Sequence, residues 1–121
     1  MPKTLTTGKM ALTASITLAA VLAVPLLAAA QDDAQVKKGQ DVYAAQKCST
    51  CHSIDGKGKK VSPLDGVGSK LTAEEIRAWI VTPAEMTKKT NSTKKPVMPN
   101  KYSKLPADEI DALVAYMQSL K

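Results

Sequence analysis

Apolar residues recur at helical spacing in the segment 35–47, which contains no proline. A period near 3.6 residues predicts an amphipathic α-helix. Glycine within a helix costs about 0.5–1 kcal/mol relative to alanine, so Gly39 indicates that another helix crosses closely at that point. The positions that carry the pattern are Val36, Gly39, Val42 and Tyr43.

Two further helices are predicted later in the chain. The first spans 72–82 and begins at Thr72 and Glu75, which match a capping box. It ends before Pro83, because the residue preceding a proline is disfavoured in the α region. The second spans about 106–120, and its apolar face consists of Ile110, Leu113, Val114, Met117 and Leu120.

The stretches 53–70 and 84–104 are polar and contain glycine or proline. Such compositions predict loops. No strand pattern and no internal repeat stands out, so the sequence predicts an all-α fold with three main helices. The domain is small and the chain contains no Phe, so a metal, a disulfide or a cofactor is expected to contribute to the core.

The first 30 residues have the pattern of a secretory signal peptide. Lys3 and Lys9 precede an apolar run that ends in Ala28–Ala30, an order typical of a cleaved leader. We therefore predict a signal peptide over 1–30, a domain over 31–121 with a short disordered start, and a periplasmic location without membrane insertion. The alternative is a retained membrane anchor, since about 20 apolar residues can span a bilayer.

The chain is basic, with 17 Lys and Arg residues against 11 Asp and Glu and a net charge of +6, which is +4 without Lys3 and Lys9 of the leader. Arg77 is the only Arg. Nucleic-acid recognition usually relies on Arg and on interleaved aromatic residues, so this partner is not expected. A lysine-rich surface suits transient docking of a monomer to acidic redox proteins; the alternative is that the lysines serve solubility alone.

The segment Cys48-Ser49-Thr50-Cys51-His52 carries the candidate chemistry. A zinc site needs about four ligands, and the chain offers two Cys and one His in total. A dithiol redox site is expected near a βαβ pattern, which the sequence lacks. The third alternative is favoured: covalent attachment of one c-type haem, with Cys48 and Cys51 bonded to its vinyl groups and His52 bound to its iron.

The second axial position of the iron calls for another ligand, because His52 is the only His. Methionine sulfur is a common choice. Met98 is favoured because it lies between two prolines in a loop that can fold over a haem face. Met86 stays a candidate, whereas Met117 falls on the apolar face of the last helix and is interpreted as part of the core.

The chain resembles class I cytochromes c of the small bacterial type over nearly the whole of 31–121. The resemblance implies a cytochrome c-like fold, with three main helices around one covalently attached haem c. The segments that carry it are Gly39–Tyr43, Cys48–His52, Pro63–Leu64, Gly66–Gly68, Trp79–Pro83, Val97–Pro99 and Ile110–Leu120.

The resemblance also implies roles for individual residues. Pro63 would offer its carbonyl oxygen to Nδ1 of His52. Trp79 would pack beside the haem, and Met98 would be the distal ligand of the iron. The helix containing Gly39 would cross the C-terminal helix.

These features predict a soluble electron carrier, not an enzyme, that transfers one electron through a haem with His52 and Met98 as axial ligands. The alternative is a ligand-binding haem protein, a sensor or weak peroxidase, in which the bond to Met98 is labile. Redox partners are expected to dock on lysines of the two loops beside the haem edge. These are Lys57, Lys59, Lys60, Lys88, Lys89, Lys94, Lys95, Lys101 and Lys104.

Overall fold

The computed structural model describes residues 24–121, and their side chains from residue 32 onward. Helices dominate this part of the chain, so the predicted all-α class is confirmed. In chain order the elements are α1 (Val24–Ala45), a 3-10 turn (Cys48–Thr50), β1 (Ser53–Ile54), β2 (Lys57–Gly58), α2 (Val67–Lys70), α3 (Ala73–Val81), α4 (Pro83–Lys89), a second 3-10 turn (Asn100–Lys104) and α5 (Ala107–Ser119).

The crossing of α1 over α5 lies at the centre of the fold. A Cβ atom at Gly39 would lie 2.1 Å from the carbonyl oxygen of Ala112 and 2.6 Å from Cβ of Tyr116. No side chain fits at that distance, so the close helix crossing predicted from Gly39 is confirmed. One turn further along α1, the rings of Tyr43 and Tyr116 pack edge to face with their centroids 5.8 Å apart.

The helix α3 packs against α5 and completes the core. Its predicted capping box is confirmed: Oγ1 of Thr72 accepts a hydrogen bond from the amide of Glu75 at 3.2 Å, and Oε2 of Glu75 accepts one from the amide of Thr72 at 2.9 Å. The helix ends at Val81, one residue before the predicted boundary. The buried core residues are Val42, Ile76, Ile80, Ile110, Leu113, Val114 and Met117.

The short helix α2 is fastened to the C-terminal end of α5. A Cβ atom at Gly68 would lie 2.2 Å from the carbonyl oxygen of Gln118. The amide of Gly68 donates to the carbonyl of Leu120 at 2.8 Å, and Nε2 of Gln118 donates to the carbonyl of Leu71 at 2.8 Å. Nζ of Lys121 also donates to the carbonyl of Gly68, at 3.0 Å.

The region 84–104 is not the continuous loop that the sequence predicts. It contains the rest of α4 and the second 3-10 turn. Pro83 occupies the first turn of α4, where its missing N–H group costs nothing, and Glu85 lies near the positive end of the helix dipole. Lys88 and Lys89 lie in the last turn of α4, where their positive charges interact favourably with the negative end of the helix dipole.

The helix α1 also begins earlier than predicted. Its backbone is helical from Val24, so residues 31–34 are not a disordered start. The apolar residues Leu26 and Leu27 and the alanines that follow have high helix propensity, which continues the helix in the N-terminal direction. The predicted leader lies mostly outside the described residues, and its cleavage stays a prediction. Among the described residues, no helix combines the length and the apolar character needed to cross a bilayer.

Candidate functional site

The Cys48–His52 segment forms a tight turn directly after α1. Lys47 adopts a left-handed conformation with φ of 54°, which ends the helical path and starts the 3-10 turn. The amides of Cys51 and His52 both donate to the carbonyl of Cys48, at 3.1 and 3.0 Å. The turn therefore holds the two cysteines and the histidine close together, and both thiols are free.

A small hairpin made of β1 and β2 packs against this turn. Asp55 and Gly56 have positive φ angles of 50° and 74° at its tip, as the preferred two-residue hairpin turns require. A Cβ atom at Gly58 would lie 2.2 Å from the carbonyl oxygen of His52. The hairpin, which the sequence analysis did not predict, thus packs its backbone directly against the Cys48–His52 segment.

The imidazole of His52 is held in one orientation by a backbone carbonyl. Nδ1 lies 2.8 Å from the carbonyl oxygen of Ser62. A carbonyl oxygen can only accept a hydrogen bond, so in the neutral imidazole this contact assigns the proton to Nδ1 and leaves the lone pair on Nε2. A neutral imidazole with a free Nε2 is the form that binds a metal.

The acceptor is therefore Ser62, and the predicted role of the Pro63 carbonyl is wrong by one residue. The amide of Ser62 donates to the carbonyl of Cys51 at 3.1 Å, and the amide of Leu64 donates to the carbonyl of Ser53 at 2.8 Å. These two bonds hold the segment Ser62–Leu64 beside Cys51–Ser53, with the carbonyl of Ser62 facing the histidine.

A cavity of about 810 Å³ opens in front of this histidine. Its volume lies within the range of about 300–1,000 Å³ that is typical of ligand and cofactor sites. Much of its wall is apolar, with residues from α2, α3 and α5 and from the loop segment Pro96–Pro99. All six residues that the sequence analysis selected line it: Cys48, Cys51, His52, Pro63, Trp79 and Met98.

The three candidate methionines occupy different places. Met98, on the loop before the second 3-10 turn, lines the cavity, and so does Met117 from α5. Met117 is also a buried member of the core that α5 forms with α1 and α3, as predicted. Met86 is buried in α4 and is not part of the cavity wall.

The electrostatics of Cys48 do not suit a reactive thiol of a redox-active dithiol. Burial raises the pKa of Cys48 to about 11, although the nearby Lys101 acts in the opposite direction. A thiol with such a pKa is protonated at neutral pH, whereas reactive thiols have lowered pKa values. Among the described side chains, residues 32–121, no three His, Cys, Asp or Glu side chains come together as a group that could hold a metal ion.

The residues present do fit a covalently attached haem. Two half-buried thiols, an imidazole with a free Nε2 and a thioether sulfur all face one largely apolar cavity. Sequence reasoning missed three polar residues of the wall, which come from α4 and the residues after it: Thr87, Thr90 and Ser92. The helix-forming composition after Pro83 is the signal that could have revealed that α4 contributes to this wall.

Comparison with known proteins agrees with this geometry. A family model described as Cytochrome c matches residues 36–121. No curated protein and no solved structure gives a significant match. Because the family match runs from the first crossing helix to the end of α5 and includes the whole Cys48–His52 segment, the chain belongs to the cytochrome c family of haem-binding electron-transfer proteins and has an all-α fold of the cytochrome c type.

Proposed function

We propose that this protein is a class I monohaem cytochrome c that shuttles single electrons between partner proteins and turns over no substrate. Thioether bonds from Cys48 and Cys51 would hold one haem, with Nε2 of His52 and the sulfur of Met98 as axial ligands. The observation that carries the proposal is that all four of these residues line one and the same cavity. When bound, the haem supplies the redox chemistry by alternating between Fe(III) and Fe(II).

The chain's own residues would set the properties of this site. The carbonyl of Ser62, 2.8 Å from Nδ1 of His52, would fix the ring so that Nε2 can bind the iron, and would make the imidazole a stronger ligand. A thioether ligand from Met98 favours the reduced state and raises the reduction potential. Trp79 and the apolar wall would exclude water, which also favours the less charged state.

Covalent attachment is tested by extraction and by variants of the cysteines. The haem should survive acid–organic extraction and stay with the chain on a denaturing gel. Replacing both thiols, Cys48→Ala with Cys51→Ala, should abolish attachment. Haem that stays covalently bound in the double variant would contradict the proposal.

The distal ligand is tested with variants of Met98 and Met86 in parallel. Met98→Ala should abolish the weak long-wavelength sulfur-to-iron band, lower the reduction potential and allow carbon monoxide to bind the ferrous protein. Met86→Ala is the matched control and should keep the band, because Met86 does not line the cavity. Loss of the band in the control alone would reverse the assignment, and carbon monoxide binding by the unmodified protein would favour the ligand-binding alternative.

The proposed site of action is the periplasm, after removal of residues 1–30. The support is the basic start, the apolar run and the Ala28–Ala30 end of the leader. The intact mass of the native protein should equal that of residues 31–121 plus one haem. A native chain that still begins with the leader would favour the membrane anchor.

We further propose that the partners present acidic docking surfaces. No acidic residue occurs between Glu85 and Asp108, a segment that contains six lysines, and Lys94 and Lys101 of this segment line the cavity. None of the six takes part in an ion pair among the described residues. A positive field at the cavity would steer acidic partners and weaken with salt.

The measurement is the second-order rate of electron transfer to an acidic and to a basic redox protein as ionic strength increases. The rate should fall for the acidic protein and rise for the basic one, because the screening length is only about 8 Å at physiological salt. If neither rate changes with salt, the docking proposal is wrong and the lysines serve solubility alone.

A further inference from the structure

The chain after His52 folds back and returns to the histidine. It leaves the Cys48–His52 segment through the hairpin of β1 and β2, and residues 62–65, which we call the return segment, come back beside it. The carbonyl that holds the imidazole belongs to Ser62, the first residue of the return segment. The orientation of the imidazole therefore depends on how firmly the return segment is held.

Two backbone hydrogen bonds hold the first part of the return segment. The amide of Ser62 donates to the carbonyl of Cys51 at 3.1 Å, and the amide of Leu64 donates to the carbonyl of Ser53 at 2.8 Å. The bond of 2.8 Å between Nδ1 of His52 and the carbonyl of Ser62 comes between them along the chain. A displacement of the return segment would therefore disturb the bond to the imidazole together with its two neighbours.

The end of the return segment is held by a side chain. Oδ1 of Asp65 accepts a hydrogen bond from the amide of Asp55 at 2.7 Å, and Asp55 lies at the tip of the hairpin. Nζ of Lys70, in α2, donates to the carbonyl of Asp65 at 3.2 Å. Among the described side chains, Asp65 alone makes a hydrogen bond that joins the return segment to the hairpin.

The chemistry and the place of Asp65 suit it to this task. Its acceptor is a carboxylate, and hydrogen bonds with one charged partner are stronger than those between neutral groups. Asp65 also lines the cavity in which the imidazole lies. One residue thus connects the hairpin tip to the segment that begins with the acceptor of the Nδ1 proton.

We propose that Asp65 is a positioning residue for His52: by fixing the return segment to the hairpin tip, its carboxylate keeps the carbonyl of Ser62 on the N–H group of Nδ1. This assignment rests on the proposed function, in which Nε2 of His52 binds the iron. A firm hydrogen bond from Nδ1 makes the imidazole more basic, and a more basic ligand stabilises Fe(III). Loosening the return segment should therefore raise the reduction potential.

The experiment compares the unmodified holoprotein with three variants. Asp65→Ala removes both the charge and the acceptor, whereas Asp65→Asn removes the charge but keeps a side-chain oxygen that can accept from the amide of Asp55. Asp55→Asn is the matched control, because it removes a charge from the hairpin tip and keeps the amide that donates to Asp65.

Two measurements separate positioning from charge. The reduction potential should rise in every variant, since each loses a negative charge, and it should rise furthest in Asp65→Ala. The exchange of the Nδ1 proton of His52 with solvent, followed by NMR in the ferrous protein, should become about fivefold faster in Asp65→Ala, the factor expected for the loss of one net hydrogen bond. It should stay unchanged in both Asn variants.

The proposal is overturned if Asp65→Ala and Asp65→Asn agree in potential and in proton exchange. A lower urea midpoint of Asp65→Ala alone would then mean that Asp65 serves stability only. An Asp55→Asn variant that behaves like Asp65→Ala would also overturn it, because the effect would come from charge at the hairpin tip.

A pyridine haemochrome spectrum of the unmodified protein tests the proposed function separately. If the protein contains no covalent haem, the proposed function fails and this assignment with it. If the haem is attached but the two Asp65 variants do not differ, the positioning role alone is wrong.

Discussion

The tightness of the α1–α5 crossing leads to a quantitative prediction for Gly39→Ala. In an isolated helix this change would stabilise the protein by about 0.5–1 kcal/mol. In the fold, the new Cβ would lie 2.1 Å from the carbonyl oxygen of Ala112, whereas ordinary contacts begin at 3.4 Å. The obstacle is backbone that cannot rotate away, so we place the cost near the upper end of the usual overpacking range, about 3 kcal/mol. The net loss of unfolding free energy should be about 2 kcal/mol.

Urea unfolding of the holoprotein, followed by far-UV circular dichroism, measures this loss as a lower midpoint at an unchanged slope. The matched control is Gln40→Ala, on the exposed side of the same helix, which should change the stability by less than about 0.5 kcal/mol. A Gly39→Ala variant as stable as the unmodified protein would refute the reasoning, because it would mean that the two helices do not approach this closely.

Three further predictions concern individual side chains. Thr72→Ala removes the N-cap of α3 and should cost about 0.5–2 kcal/mol in urea unfolding; a neutral result would mean that the cap contributes nothing. Burial raises the pKa of Tyr43 from 10.0 to about 12. The folded state therefore holds this proton more tightly, so the associated stability is present below pH 10 and is lost as pH rises towards about 12. Tyr43→Phe should make the alkaline loss of stability shallower, and an unchanged slope would contradict this. Met117→Ala truncates the core and should cost about 2–5 kcal/mol while the sulfur-to-iron band stays; loss of the band would instead make Met117 the ligand.

The features predicted correctly from the sequence are those with local causes. Thr72 and Glu75 satisfy each other's backbone groups within one turn, so their pattern alone defines the start of α3. Gly39 is informative for a similar reason, since a glycine in an otherwise apolar helical stretch has few explanations besides a close neighbour. The Cys48–His52 segment, from which haem binding was predicted, is likewise a local pattern of five residues, and the family match agrees with that prediction.

The errors concern features that depend on distant parts of the chain or on competing local signals. Pro83 ends α3, but it also begins α4, and the sequence analysis used only the first of these properties. The acceptor for His52 is set by the register between Ser62–Leu64 and Cys51–Ser53, which no local pattern reveals. A one-residue shift in that register is enough to exchange Pro63 for Ser62.

The hydrogen bonds between α2 and the end of α5 couple the last turn of α5 to the wall of the haem cavity. Val67 and Leu71 line the cavity from α2, and the backbone amide of Gly68 between them is bonded to Leu120. Fraying of the C-terminal turn and opening of this wall are therefore one cooperative event. In a hydrogen–deuterium exchange experiment, the amides of Gly68 and Leu120 should exchange at a common rate, slower than expected for the frayed end of a helix.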